Sequence, residues 1–179
     1  SRAARFSAQA REHQNGQPPL LHADDLGLSQ GVDAAILELA QSGRLQGASL
    51  LVNGPSATAA VEAWRDLADP PPLTLHLCLT EGHRLPNCPH LPTGFGGLLL
   101  ASLLPWQGRR ITPQLRTVLL QQISRFRQLT GLQHIHLDGH QHIHLVPLVL
   151  DAVLDLSRTE GITWVRTVSY THLRAHETN

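Results

Sequence analysis

Residues 134–144 read His-Ile-His-Leu-Asp-Gly-His-Gln-His-Ile-His and contain five of the twelve histidines of the chain. Alternate side chains of an extended strand face the same way. The pattern therefore predicts a strand with one polar face, formed by His134, His136, Asp138, His140 and His142. Ile135 and Leu137 would face the core. Since imidazole is the commonest metal ligand in proteins, such a face is suited to holding a metal.

Clustered histidines do not by themselves indicate a metal site. They occur as solvated surface residues, as core residues with satisfied hydrogen bonds, and in biased tracts with adventitious metal affinity. A metal site needs ligands from other segments. Whether these histidines form one therefore depends on the remainder of the chain.

Composition limits the classes of function. The 179 residues suffice for one domain with a sizeable core. Lys plus Arg and Asp plus Glu both number 14, and no basic run occurs, which argues against nucleic acid or an anionic membrane as a partner. Cys78 and Cys88 lack CxxC spacing and favour reduced thiols in a cytoplasmic protein, with one disulfide left open.

Hydrophobic periodicity predicts alternating strands and helices. Strands are expected at 19–23, 48–52, 73–79, in the histidine-rich stretch and at 162–166. Helices are expected from Ser29 to Gly43, from Ser56 to about Ala68, over 98–104, from Thr112-Pro113 to Gly131, and from Pro147 through Leu154. Residues 81–95 are predicted to form a functional loop. The pattern indicates an α/β domain with a mainly parallel sheet, open or closed as a barrel.

Residues that can bind a metal end or follow three of the predicted strands. Asp24 and Asp25 end the first strand, His76 lies late in the third, and His140 follows the fourth. In parallel α/β folds ligands bind at the carboxyl ends of the strands, so these side chains are expected at one rim.

Three segments together carry a family resemblance. His-Ala-Asp-Asp-Leu-Gly-Leu-Ser (22–29), Leu-His-Leu-Cys-Leu-Thr-Glu-Gly (75–82) and His-Leu-Asp-Gly-His-Gln-His-Ile-His (136–144) resemble, in order, the signatures of the YdjC-like carbohydrate deacetylases, which include chitooligosaccharide deacetylases. The likeness runs from about Leu20 to Arg166. It implies a distorted β/α barrel that removes acetyl groups from N-acetylated sugars or oligosaccharides with one divalent metal ion.

The resemblance implies roles for individual residues. Asp25, His76 and His140 become the metal ligands, with His142 in reserve, and Asp24 becomes the general base. Substrate contact or orientation of the ligands is implied for His136, Asp138, His142, His144, Glu81 and Arg166. Mg²⁺ and Zn²⁺ are the leading metals, and Mn²⁺ and Co²⁺ also suit such a donor set. A homodimer is left open.

The ends of the chain differ from the family pattern. Family members continue past the position of Arg166, and a later His-Pro segment supplies their expected general acid. The chain is therefore expected to be C-terminally truncated, with an incomplete barrel. Residues 1–17 are predicted to be disordered, 18–167 to form a partial deacetylase-like domain, and 168–179 to be a non-native tail, which excludes His172 and His176 from the site.

Two other functions remain open. A metal-dependent phosphoesterase of the histidine-rich barrel type would need further carboxylate and histidine ligands around the barrel. A non-catalytic metal- or sugar-binding fragment would use the same ligands without turnover.

Overall fold

The computed structural model describes residues 21–81, 83–91 and 94–166. Its strands are β1 (Leu21–Leu26), β2 (Leu45–Leu50), β3 (Leu73–Leu77), β4 (Ile135–Gly139) and β5 (Ile162–Val165). Its helices are α1 (Gln30–Gln41), α2 (Ala57–Arg65), α3 (Gly94–Leu103), α4 (Pro105–Thr130) and α5 (Pro147–Ser157). The predicted disordered segment 1–17 and the predicted tail 168–179 lie outside the described residues.

The strands form one parallel sheet in the order β1-β2-β3-β4-β5. Parallel neighbours need crossover connections, which the helices between successive strands provide. Over the described residues β1 and β5 are the edges of the sheet, so it is not closed into a barrel. The predicted α/β class and the expectation of an incomplete β/α barrel are confirmed.

Apolar side chains on the strands form the core with the helices. Ile135 and Leu137 of β4 are fully buried, as the alternation predicted, and Leu75 of β3 is fully buried as well. Phe126 and Leu115 of α4 belong to the same cluster.

The start of α4 differs from the prediction. The predicted helix start at Thr112-Pro113 is wrong, because α4 begins at Pro105 and continues through Pro113. An interior proline removes one backbone hydrogen bond and crowds the preceding turn. Burial of Ile111 and Leu115 on either side outweighs that cost, and the Thr112 hydroxyl donates to the Gly108 carbonyl within the same turn.

The loops after β1 and β2 are in backbone contact. Gly27 has a φ of +95°, and its carbonyl accepts the Ser56 N–H at 3.2 Å. A Cβ added at Gly54 would lie 2.0 Å from that same carbonyl oxygen, so only glycine fits there. This close approach fixes the rim of the sheet directly beside the two aspartates of β1.

None of the helices among the described residues is long and apolar enough to cross a membrane. Cys78 and Cys88 are both buried and free.

Candidate metal centre

Asp25, His76 and His140 meet at the carboxyl ends of β1, β3 and β4. The Asp25 Oδ1 atom lies 3.1 Å from His76 Nε2 and 2.8 Å from His140 Nδ1. The two rings are perpendicular, with centroids 5.5 Å apart. Ligands of a tetrahedral ion at about 2.0–2.2 Å are separated by roughly 3.3–3.6 Å. The 3.1 Å contact between Asp25 and His76 is close to that spacing, and the 2.8 Å contact between Asp25 and His140 is a hydrogen bond that would lengthen around an ion. The structure therefore brings together the three residues predicted as metal ligands.

An irregularity in β1 separates the two adjacent aspartates. The pairing of β1 with β2 shifts between Ala23 and Leu26, and Asp25 has a φ of +68°. Aspartate tolerates this left-handed conformation better than most residues. As a result Asp25 contacts the histidines, whereas Asp24 contacts Arg166 at 2.7 Å.

Asp138 supports His76 from behind. The two residues are register partners on β3 and β4, and His76 Nδ1 lies 2.5 Å from Asp138 Oδ1. Both side chains are at most 3% exposed. A carboxylate behind a ligating imidazole fixes its tautomer and orientation. With its proton on Nδ1, toward Asp138, the His76 ring presents the Nε2 lone pair to an ion held beside Asp25.

The carboxylate of Asp138 is stabilised as an anion. Its second oxygen accepts from the Ser49 hydroxyl at 2.6 Å and forms an ion pair with Arg166 at 2.9 Å. Burial acts to raise the pKa of Asp138, but the hydrogen bonds from His76 and Ser49 and the charge of Arg166 outweigh it. The pKa of Asp138 therefore lies below its ordinary value.

A second cluster surrounds Arg166. His22, Asp24 and Asp138 lie close enough to hold a cation, but the Arg166 guanidinium already contacts both carboxylates. His22 Nε2 lies 2.7 Å from the Ser49 hydroxyl. Sequence reasoning assigned no role to His22 or Ser49, although His22 stood in a segment that carried the family resemblance.

The backbone turns directly after β4. The strand ends at Gly139, and His140–Leu145 form a short 3-10 segment in which Gln141 and His142 have φ values of +53° and +55°. The predicted single face from His134 to His142 is therefore wrong, because strand alternation stops before His140. The turn instead directs His140 Nδ1 to Asp25, while its Nε2 lies 3.3 Å from Glu81 Oε2.

The other histidines of the stretch lie outside this cluster. His136 is exposed, with its ring 5.6 Å from that of Trp164. His142, the predicted reserve ligand, is exposed and its ring lies 6.3 Å from that of His144. His144 is buried and donates its Nε2–H to the Arg166 carbonyl at 2.7 Å. Its contact therefore anchors the backbone of Arg166.

Comparison with known proteins identifies the family. A family model described as YdjC-like protein matches residues 20–178. The chain belongs to the YdjC-like family.

Curated relatives of this YdjC-like chain carry enzyme names. A carbohydrate deacetylase of Mus musculus is 35% identical over 152 residues, covering 80% of this chain and 48% of that protein. A chitooligosaccharide deacetylase of Serratia marcescens is 30% identical over 149 residues, covering 80% of this chain and 56% of that protein. The chain thus spans about half the length of the curated relatives it matches.

A solved structure shares the fold of this YdjC-like chain. It is a crystal structure from Enterococcus faecalis V583, described as a candidate cellobiose-phosphate cleavage protein. The TM-score is 0.64 at 22% identity, and the match covers 86% of this chain and 59% of that one. At this identity the likeness concerns the fold alone.

A cavity of about 170 Å³ lies beside Asp25, His76 and His140, which together are called the triad below. Thr80 and Glu81 border it on the side of the site, and apolar side chains line much of the remainder, among them Leu79, Leu85, Leu91 and Val118. Cys78 and Cys88 also line it, and burial raises the pKa of both thiols. The triad itself is not part of the cavity wall, so Glu81 is the link between them.

Burial of His144 predicts a loss of stability in mild acid. Burial lowers the pKa of His144 from its ordinary 6.5, and the charges of His142 and Arg166 act in the same direction, against Asp138 and the bond to the Arg166 carbonyl. The unfolded chain therefore binds more protons below about pH 6.5, so the free energy of unfolding falls as the pH drops through that value. His144→Gln should show a smaller fall in melting temperature between about pH 7.5 and pH 5.5 than the wild type.

The exposed His134 provides the matched control for this measurement. His134→Gln should keep the full wild-type fall, part of which comes from His22, whose pKa burial also lowers. Equal falls in all three proteins would contradict the role of His144.

Proposed function

We propose that this YdjC-like chain carries the metal-binding part of a metal-dependent deacetylase that removes acetyl groups from N-acetylated sugars of the chitooligosaccharide type. The convergence of two imidazole nitrogens on the Asp25 Oδ1 atom supports the metal site. The deacetylase names of the mouse and Serratia relatives support the substrate class.

The donor set fits one divalent ion. One carboxylate oxygen and two imidazole nitrogens suit Zn²⁺, Mn²⁺ or Co²⁺, and Mg²⁺ less naturally. Three protein ligands leave further coordination positions open, as catalytic sites require. The contact between His76 and the buried Asp138 provides the outer support that ligating histidines usually have. We assign the ion to Asp25, His76 and His140.

Hydrolysis of the acetamide breaks its C–N bond and adds water across it. A bound divalent ion supplies polarisation of the carbonyl and lowers the pKa of the attacking water. Asp24 is the assigned general base, which takes a proton from that water. Its carboxylate is 44% exposed and is oriented by the 2.7 Å contact with Arg166. Arg166 in turn is fixed by its contact with Asp138 and by the bond from His144 to its carbonyl.

The remaining predicted residues take supporting roles. The exposed His136 and His142 are assigned to sugar contacts, because a solvent-facing imidazole can contact a ligand. A phosphoesterase would need more metal ligands. Among the described residues the second cluster, at His22, Asp24 and Asp138, already contacts a guanidinium, which favours the mononuclear hydrolase.

An acetate-release assay tests this function. With Zn²⁺ present, the wild type should release acetate from diacetylchitobiose, and Asp24→Asn should lower the rate at least about 100-fold with unchanged Zn²⁺ affinity. Asp155→Asn, at an exposed aspartate of α5, is the matched control and should keep the full rate. Hydrolysis of p-nitrophenyl phosphate without acetate release would support the phosphoesterase instead. Zn²⁺ binding without either activity would indicate a binding fragment.

A further inference from the structure

We infer that Glu81 is a positioning residue that orients His140 for the metal and links metal affinity to the segment of residues 78–81 and 83–91. The inference rests on the proposed metal site. The Nδ1 atom of His140 faces Asp25 Oδ1 at 2.8 Å, and the Nε2 atom on the opposite side faces Glu81 Oε2 at 3.3 Å. Each nitrogen of this ring therefore has its own carboxylate.

The arrangement at His140 resembles that at His76 in the residues that face each ring, although Asp138 forms a hydrogen bond with His76 and Glu81 forms only an ion-pair contact with His140. In both cases one nitrogen points to Asp25 and the other to a second carboxylate, Asp138 behind His76 and Glu81 behind His140. Such a carboxylate holds the ring orientation and raises the basicity of the ligating nitrogen. The two supports differ in burial, because the Asp138 side chain is 1% exposed and the Glu81 side chain is 50% exposed. Of the two supporting carboxylates, Glu81 is therefore the one that a molecule binding at the protein surface can contact.

Buried side chains hold the backbone of Glu81 in place. Its carbonyl accepts from Asn53 Nδ2 and from the Cys78 thiol, both at 3.1 Å. Asn53 and Cys78 are 7% and 2% exposed. The carboxylate is held separately, because Glu81 Oε1 accepts from Gln141 Nε2 at 2.8 Å. Gln141 directly follows His140 in the turn with positive φ, so the same turn presents the ligand and its support.

Glu81 also belongs to the wall of the neighbouring cavity. Thr80, Glu81 and His83 line it together with Cys88 and Leu91 of the same segment. A molecule that displaces Glu81 on entering the cavity would remove the support of His140. Coupling between two sites is reciprocal, so metal binding must stabilise this segment by the same free energy with which Glu81 favours the metal.

Calorimetric titration of the chain with Zn²⁺ tests the inference. Glu81→Ala should weaken Zn²⁺ binding about 10-fold. Glu81→Gln should weaken it less, because the amide oxygen can still face His140 Nε2. Gln141→Ala should also weaken binding, and the double variant Glu81→Ala/Gln141→Ala should bind no more weakly than Glu81→Ala alone, because both act through one contact. The melting temperature of metal-free Glu81→Gln should match that of the wild type.

Hydrogen exchange supplies a reading that a purely structural role would not change. Saturating Zn²⁺ should slow exchange of the amides of residues 78–81 and 83–91 in the wild type, and this protection should be lost in Glu81→Ala at saturating Zn²⁺. Glu62→Gln, at an exposed glutamate of α2, is the matched control and should behave as the wild type in every measurement.

The outcomes separate this inference from the proposed function. Unchanged Zn²⁺ affinity in Glu81→Ala, together with lost binding in His140→Ala, would overturn the role of Glu81 and leave the metal site standing. Unchanged affinity in His140→Ala would overturn the metal site and the inference with it. An equal loss in Glu62→Gln would overturn the inference, because it would reflect only the net charge.

Discussion

Replacing Asp25, His76 or His140 by alanine is expected to weaken Zn²⁺ binding by more than about 100-fold, exceeding the roughly 10–100-fold typical for supporting residues. Each side chain supplies one of only three protein donors, and two of the donor nitrogens meet at a single oxygen of Asp25. Removing one donor leaves two, too few to hold a divalent ion firmly in water. Competition with a chromophoric chelator measures the affinity.

Histidines outside the cluster provide the controls for this prediction. His134→Ala removes an exposed imidazole that precedes β4 and should leave the affinity unchanged. His142→Ala tests the reserve ligand and should also have no effect, because His142 is exposed and lies outside the triad. If Zn²⁺ affinity falls equally in all these variants, the histidine-rich stretch binds metal adventitiously and the assigned site is wrong.

Asp138→Asn is expected to lower the free energy of unfolding by about 3 kcal/mol, because it breaks a buried ionic contact from one side. The Asp138 carboxylate accepts from Ser49 and contacts His76 and Arg166, and its side chain is 1% exposed. The amide keeps the shape but removes the charge that balances Arg166, and its NH₂ group cannot accept a hydrogen bond. The same change should weaken Zn²⁺ binding about 10-fold, because the orientation of His76 depends on it.

Chemical denaturation of metal-free protein measures the stability effect. Asp155→Asn is the matched control, because the Asp155 side chain is 67% exposed and pairs with Arg116 on the surface. Exposed pairs contribute at most about 1 kcal/mol, so this control should unfold almost as the wild type does. A stability loss as small as that of the control would show that Asp138 carries little of the free energy of unfolding.

Local patterns were sufficient to predict most of the fold. Apolar residues at helical spacing indicated α1, with Ser29 at its N-terminus, and the structure places a hydrogen bond from the Val32 N–H on the Ser29 hydroxyl. The α4 helix shows the limit of such patterns. Propensity places a helix start at Pro113, but burial of the preceding turn extends the helix back to Pro105. Packing depends on distant residues, which a local window does not contain.

The candidate site was partly predictable for a simple geometric reason. The carboxyl ends of parallel strands lie at one edge of a sheet, so residues that end or follow strands come together whatever their separation in sequence. Asp25, His76 and His140 satisfied that condition. No role was predicted for His22 or Ser49, because neither residue type by itself indicates a site. Their position beside Asp138 emerges only when β1, β2 and β4 are assembled.

The sequence by itself determined the alternation of strands and helices and the residue types that can hold a divalent ion, because both follow from local periodicity and side-chain chemistry. The tertiary structure decided which histidine of residues 134–144 faces Asp25. The strand ends at Gly139, and two residues with positive φ then turn the backbone. The tertiary structure also brings Arg166 into contact with Asp24, 142 positions away in the sequence, and Ser49 into contact with Asp138, 89 positions away. Contacts of this range depend on strand order and register, which no local pattern specifies.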